Sequence, residues 1–159
     1  MADISRRRFL RGDFSGSRSA PRPPWARAEA AFAAACTRCR DCVNACPQRI
    51  LVLDGAGRPT VDFGRGECTF CGKCVEACTP RTLERREGAP PWQRKALIEG
   101  ACLAMANVVC RACGDACPER AIRFRPKPMA AAQPEVIGAL CTGCGACVAP
   151  CPARAVRIA

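Results

Sequence analysis

Sixteen cysteines stand in four short runs along this 159-residue chain. Cys36, Cys39, Cys42 and Cys46, with Pro47 directly after, are spaced C-x2-C-x2-C-x3-C-P. That spacing suits thiolate ligation of a [4Fe–4S] cluster, because three closely spaced sulfurs can cap three irons of one cubane. The proline sets φ near −65° and has no N–H to satisfy, so it favours a turn just after the last sulfur. Cys68, Cys71, Cys74 and Cys78 repeat the run, with proline one place late at Pro80, and Cys141, Cys144, Cys147 and Cys151 repeat it before Pro152. Cys102, Cys110, Cys113 and Cys117, before Pro118, form a fourth copy with seven residues in its first interval where two are usual. Four [4Fe–4S] clusters are therefore expected. The stretched run leaves two outcomes open: a looser, more exposed cluster with a shifted potential, or an incomplete site in which Cys102 is an ordinary buried thiol.

The competing uses of cysteine fit less well. Disulfide frameworks belong to secreted chains, and cysteine triplets at i, i+3 would make crowded bridges. Zinc favours C-x2-C pairs, often with histidine, and this chain has no His. The formal charge of +11 suggests a nucleic-acid or membrane binder at first sight. Four thiolate-held cubanes would bring roughly −2 each, so the loaded protein sits near about +3 and much of the excess Lys and Arg compensates cluster charge. No base-stacking motif accompanies the charge, which argues against nucleic acid. Without His and without a Gly-rich nucleotide fingerprint, no catalytic constellation is visible, and the chain reads as a non-enzyme.

The elements that must hold these cysteines are small. With six Phe, two Trp and no Tyr the apolar core is thin, so the clusters themselves act as staples. Residues 1–29 read as a basic, Pro-rich N-terminal arm. Its Ser5–Arg11 stretch looks like a twin-arginine export signal, but no apolar run follows, which argues for a cytoplasmic protein. Arg6, Arg7 and Arg8 are candidate partner-docking charges. Pro21-Arg22-Pro23-Pro24-Trp25 reads as an extended segment ending in an anchoring indole. An alanine-rich stretch over 26–35 predicts a short helix. Ile50–Asp54 and Thr60–Phe63 predict a hairpin, and Ala121–Phe124 a strand, with a Pro-rich loop over 126–134. Residues 92–99 suit strand or helix equally. Gly72, Gly143 and Gly145 allow close backbone approach to sulfur. Cys46 to Cys68 spans 22 positions and Cys117 to Cys141 spans 24, so the chain divides into two tandem units, 30–86 and 87–159, joined through 85–91. No 18-residue apolar stretch predicts a membrane span.

The bicluster plan resembles the 8Fe ferredoxins, an α+β fold of short β-hairpins and two short helices related by a pseudo-two-fold. The resemblance implies crossed ligation: Cys36, Cys39 and Cys42 with Cys78; Cys68, Cys71 and Cys74 with Cys46; Cys102, Cys110 and Cys113 with Cys151; Cys141, Cys144 and Cys147 with Cys117. Crossing also suits a fourth cysteine one helical turn onward, which reaches back poorly to the same cube. Nearly the whole chain is similar to the NapF family of ferredoxin-type proteins of the periplasmic nitrate reductase system. The likeness rests on Ser5-Arg6-Arg7, Arg22-Pro23-Pro24-Trp25, Cys36-Thr37-Arg38-Cys39, Cys68-Thr69-Phe70-Cys71, Ala101-Cys102-Leu103-Ala104 with the long interval to Cys110, and Phe124-Arg125-Pro126. It implies a cytoplasmic partner of the precursor of the catalytic subunit NapA that assists loading of that subunit's [4Fe–4S] cluster before export. A soluble carrier delivering electrons to a reductase is the alternative.

Overall fold

The computed structural model describes residues 21–159. Its elements are α1 (Glu29–Ala35), α2 (Asp41–Asn44), β1 (Leu51–Leu53), β2 (Pro59–Val61), α3 (Lys73–Glu76), β3 (Ala96–Ile98), α4 (Ala112–Asp115), β4 (Ile122–Lys127), β5 (Ala130–Val136) and β6 (Val156–Ile158). One plan occurs twice in tandem. In each unit an inner antiparallel hairpin joins two cysteine runs, and the ends of the unit pair with each other. The first unit has β1 against β2 in the register Leu51↔Val61, with its ends closed by an Ala26↔Leu83 bridge. The second has β4 against β5 and closes with β3 against β6, Ala96↔Ile158.

Short elements suffice because each inner hairpin is flanked on both sides by a cysteine run. Three of the helices, α2, α3 and α4, are single turns, too short to persist alone. Each buries its cysteine inward: Cys42, Cys74 and Cys113 are all below 9% exposed. Phe32, Ile50, Val61, Phe63 and Leu83 form one core with the sulfurs of both units.

Residues 92–99, open between helix and strand from sequence, contain strand β3. Its partner is a C-terminal strand no motif pointed to. The Pro-rich loop expected over 126–134 is instead the β4–β5 ribbon, the longest in the protein. Proline is tolerated because a two-stranded ribbon has two free edges, where a missing N–H breaks no ladder bond. Pro126 falls at the register irregularity between Arg125 and Lys127, and Pro128 with left-handed Met129 makes the two-residue turn.

Residues 21–29, grouped by sequence with the basic arm, pack onto the first unit. The Pro21 carbonyl accepts from the Val61 N–H at 2.8 Å and from Thr60 Oγ1 at 3.0 Å. Arg22 reaches Glu29 at 2.6 Å and Asp54 at 2.7 Å and lies 5.0 Å over the Phe32 ring. Trp25 is not the end of an extended run: its φ is +60, it is buried, and its N–H donates to the Pro91 carbonyl at 2.7 Å. The turn lets the indole meet Phe70 edge to face and receive the Arg85 guanidinium at 4.7 Å. Arg6, Arg7 and Arg8 lie outside the described residues.

Candidate metal centres

The loop geometry repeats with the cysteines. Two positions in each regular run, two and four after its first cysteine, adopt left-handed φ: Arg38 and Arg40, Phe70 and Gly72, Gly143 and Gly145. Alternation of this kind turns successive N–H groups toward one side, the concave arrangement that suits anions and sulfide. Backbone donors do reach sulfur. Ala121 and Ala155 N–H groups lie 3.3 Å from Cys117 and Cys151 Sγ, and the Ala96 N–H lies 3.4 Å from Cys141 Sγ.

The sixteen cysteines gather into four groups, and every group crosses between runs. Cys46 lines a hollow with Cys68, Cys71 and Cys74. Cys117 shares one with Cys141, Cys144 and Cys147. Cys151 shares one with Cys102, Cys110 and Cys113. In the fourth group burial pushes the Cys42 thiol up to about 11, and the neighbouring thiols that add to it are Cys78, Cys39 and Cys36. Burial likewise lifts Cys74 to about 12, with Cys68, Cys42, Cys71 and Cys46 contributing. Burial raises Cys113 to about 11, chiefly aided by Cys102 and Cys151. Free thiols in such surroundings hold their protons, so loading a metal group must expel them.

These surroundings fit a cubane. The donors are sulfur alone, the three hollows are apolar, and N–H groups are aimed at the ligands. The thiols stand around each hollow rather than closing on a point; among the described residues no three His, Cys, Asp or Glu side chains converge on a single-ion site. Such a group, once bound, supplies one-electron redox chemistry and fixes chain segments far apart in sequence.

Cys102 is neither exposed nor solitary. It is 8% exposed and packs with Ala104 and Ala155 beside Cys110, Cys113 and Cys151. The long interval folds as successive turns rather than a loose loop. Ala106, Asn107 and Val108 N–H groups bond back to the carbonyls of Cys102, Ala104 and Leu103. Asn107 Oδ1 then accepts from the Ala131 N–H at 2.6 Å, pinning the interval to the β4–β5 ribbon.

Two kinds of residue around these centres escaped the sequence reading. Thr82, 2% exposed, places Oγ1 3.2 Å from Cys78 Sγ. Against a metal-bound thiolate, which has no proton to give, the hydroxyl is the donor. The other is an arginine three places after every fourth cysteine: Arg49, Arg81, Arg120 and Arg154, all exposed, all left-handed, with φ between 49 and 52. Each N–H closes a turn onto its cysteine carbonyl at 3.0 to 3.1 Å. The fourfold recurrence in Cys-x-x-Arg was the available signal. Gly143 and Gly145 have a reason beyond sulfide approach. A Cβ on Gly145 would sit 1.9 Å from Phe63 Cδ1, and one on Gly143 would sit 2.4 Å from the Arg94 carbonyl.

A family model described as a 4Fe-4S dicluster domain matches residues 35–81 and again 108–155. Cys102 is the one cysteine outside both matches. The chain is similar to "Ferredoxin-type protein NapF" of Escherichia coli K12, at 42% identity over 154 residues, covering 97% of this chain and 93% of the relative. It is also similar to "Ferredoxin-type protein NapF" of Haemophilus influenzae, at 44% identity over 166 residues, covering 98% and 94%.

Proposed function

The chain belongs to the NapF family of ferredoxin-type iron–sulfur proteins, and from that premise we propose that it loads or primes the [4Fe–4S] cluster of the nitrate reductase catalytic subunit NapA before that subunit is exported. The observation that supports this reading is the four crossed cysteine groups, each with at least one ligand half-buried or exposed. Cys39 and Cys71 are exposed, and Cys110 and Cys144 are half-buried. All sixteen cysteines, Cys102 included, serve as the cluster ligands in this reading. Sites of this kind hold iron, sulfide and electrons within reach of a partner's surface, and the protein acts by binding and transfer rather than as an enzyme. Arg6, Arg7 and Arg8 are assigned to docking on the NapA precursor, and the protein to the cytoplasm, where the precursor still has open ligands. Among the described residues no helix is long and apolar enough to cross a membrane.

Iron in the catalytic subunit isolated from a deletion strain tests the proposal. Loading predicts a subunit with depleted iron and low nitrate reductase activity. An iron-replete subunit that works with artificial donors, but not with physiological ones, would refute loading and leave electron delivery in its place.

A further inference from the structure

The two units meet ligand loop to ligand loop. The Cys68 N–H donates to the Cys144 carbonyl at 2.8 Å, so a cysteine of the second run bonds directly to one of the last. Phe63 occupies the space that Gly145 leaves, nearer than any side chain there could permit. Trp92 stands edge to face with Phe63 at 6.0 Å and with Phe70 at 5.6 Å, and its Nε1 donates to the Thr142 carbonyl at 3.0 Å. Three aromatic rings and two left-handed glycines thus hold one loop of each unit against the other. Packing of this kind, with no tolerance for a single added carbon, defines a fixed separation rather than a tether.

Inside each unit the two centres are neighbours as well. Helices α2 and α3, which carry Cys42 and Cys74, pack together, and Cys113 and Cys147 lie in the same buried core. We propose that the four centres form one row, in the order Cys36 group, Cys68 group, Cys141 group, Cys102 group, and that electrons pass along it between units across the Phe63–Gly145 contact. This order differs from the chain order, in which the Cys102 run precedes the Cys141 run. The inference rests on the cluster reading above. Each step moves one electron and no atoms: one centre is oxidised by one electron as its neighbour is reduced by one. A low-potential one-electron donor fills the row, and a one-electron acceptor on the docked partner empties it. Phe63 and Trp92 are positioning residues for the middle step.

The test uses full-length protein loaded without oxygen, with dithionite as donor, and reads iron content together with the EPR of the reduced state. A double variant, Cys78→Ala with Cys102→Ala, removes a ligand from each end centre and leaves one intact centre per unit. The row predicts that these two remaining centres show mutual spin coupling, as a broadened or split signal. A simple sum of two isolated signals overturns it. Phe63→Ala in the otherwise natural chain provides the second reading, because it opens the contact without touching a ligand. With iron unchanged, the inter-unit part of the coupling should be lost; coupling identical to that of the natural chain overturns the role given to the contact. A natural chain that binds no iron would instead refute the cluster reading itself, so the two failures are distinguishable.

Discussion

Thr82→Val isolates one hydrogen bond at one centre. Valine matches threonine in shape, so the substitution deletes the hydroxyl that lies 3.2 Å from Cys78 Sγ and little else. A hydrogen bond to a charged acceptor is worth about 1.5–3 kcal/mol, and at 2% exposure solvent does not replace it. The bond favours the reduced centre, which carries one more negative charge, over the oxidised one. If that preference is on the order of 1 kcal/mol, the midpoint potential falls by about 40 mV for a one-electron couple. Thr82→Ser, which keeps the hydroxyl, should restore most of it. The assay is an anaerobic redox titration followed by EPR, with signals assigned through the one lost in Cys39→Ser. Crossed ligation makes the outcome specific. Thr82 follows the second run in the chain, yet the centre that shifts should be the one held by Cys36, Cys39 and Cys42. A shift in the Cys68 centre, or none beyond about 10 mV, would refute the reasoning.

Loaded without oxygen, the protein should contain about sixteen irons, four for each of four centres, by quantitative iron and sulfide analysis; about twelve would show that the Cys102 centre does not fill. Cys46→Ser should erase the signal of the Cys68 centre and leave that of the Cys36 centre, and EPR showing the reverse sinks the crossed assignment. Chelating the iron should abolish cooperative unfolding in thermal scans, since ligand loops this short have no other staple. Arg22→Ala should cost about 1–3 kcal/mol, lowering the thermal midpoint of the loaded protein by several degrees. Its pH dependence has a definite sign. The Arg22 hydrogen bond holds the Glu29 carboxyl below its ordinary value, and N–H donors with Arg22 do the same for Asp54 against the cost of burial. That stabilisation is present above the ordinary carboxylate range and is lost as pH falls through the lowered values, so the variant should differ from the natural chain near neutrality and converge with it in acid.

The four cysteine runs were legible, because their repeated spacing with proline close behind suits thiolate ligation of a cubane, whereas the crossing was implied only by the resemblance to the 8Fe ferredoxins. The hairpin expected over Ile50–Asp54 and Thr60–Phe63 was legible too, since apolar stretches flank a glycine turn, and it forms as Leu51–Leu53 with Pro59–Val61. Contacts that depend on shape between distant segments were not. Nothing in Phe63 announces that it fills the space of Gly145, and nothing in Thr82 points to the sulfur four places back. Pro126 and Pro134 misled because proline argues against a strand only where both edges are paired, and the number of partners is a tertiary fact. Gly72, Gly143 and Gly145 were noticed for close approach to sulfur, but the left-handed backbone they share with Arg38, Arg40 and the four Cys-x-x-Arg arginines was not.

The crossed grouping of the cysteines has a consequence for how the proposed centres would fill. The segment 46–74 lies inside 36–78, and 117–147 lies inside 102–151, so the two centres of each unit are nested along the chain. As the polypeptide leaves the ribosome, the inner centre of a unit has all its ligands first and closes the shorter loop, which costs less entropy. The outer centre is then completed by the very next cysteine, Cys78 or Cys151, delivered to a scaffold already shaped by its neighbour. The first unit has every ligand in hand 24 residues before Cys102 is made. On the crossed assignment, metal would enter in four ordered events. The inner centres come first in each unit, and they are also the two that carry Cys68 and Cys144 to the inter-unit seam. On that order the second unit would dock onto a first unit whose ligands are already complete.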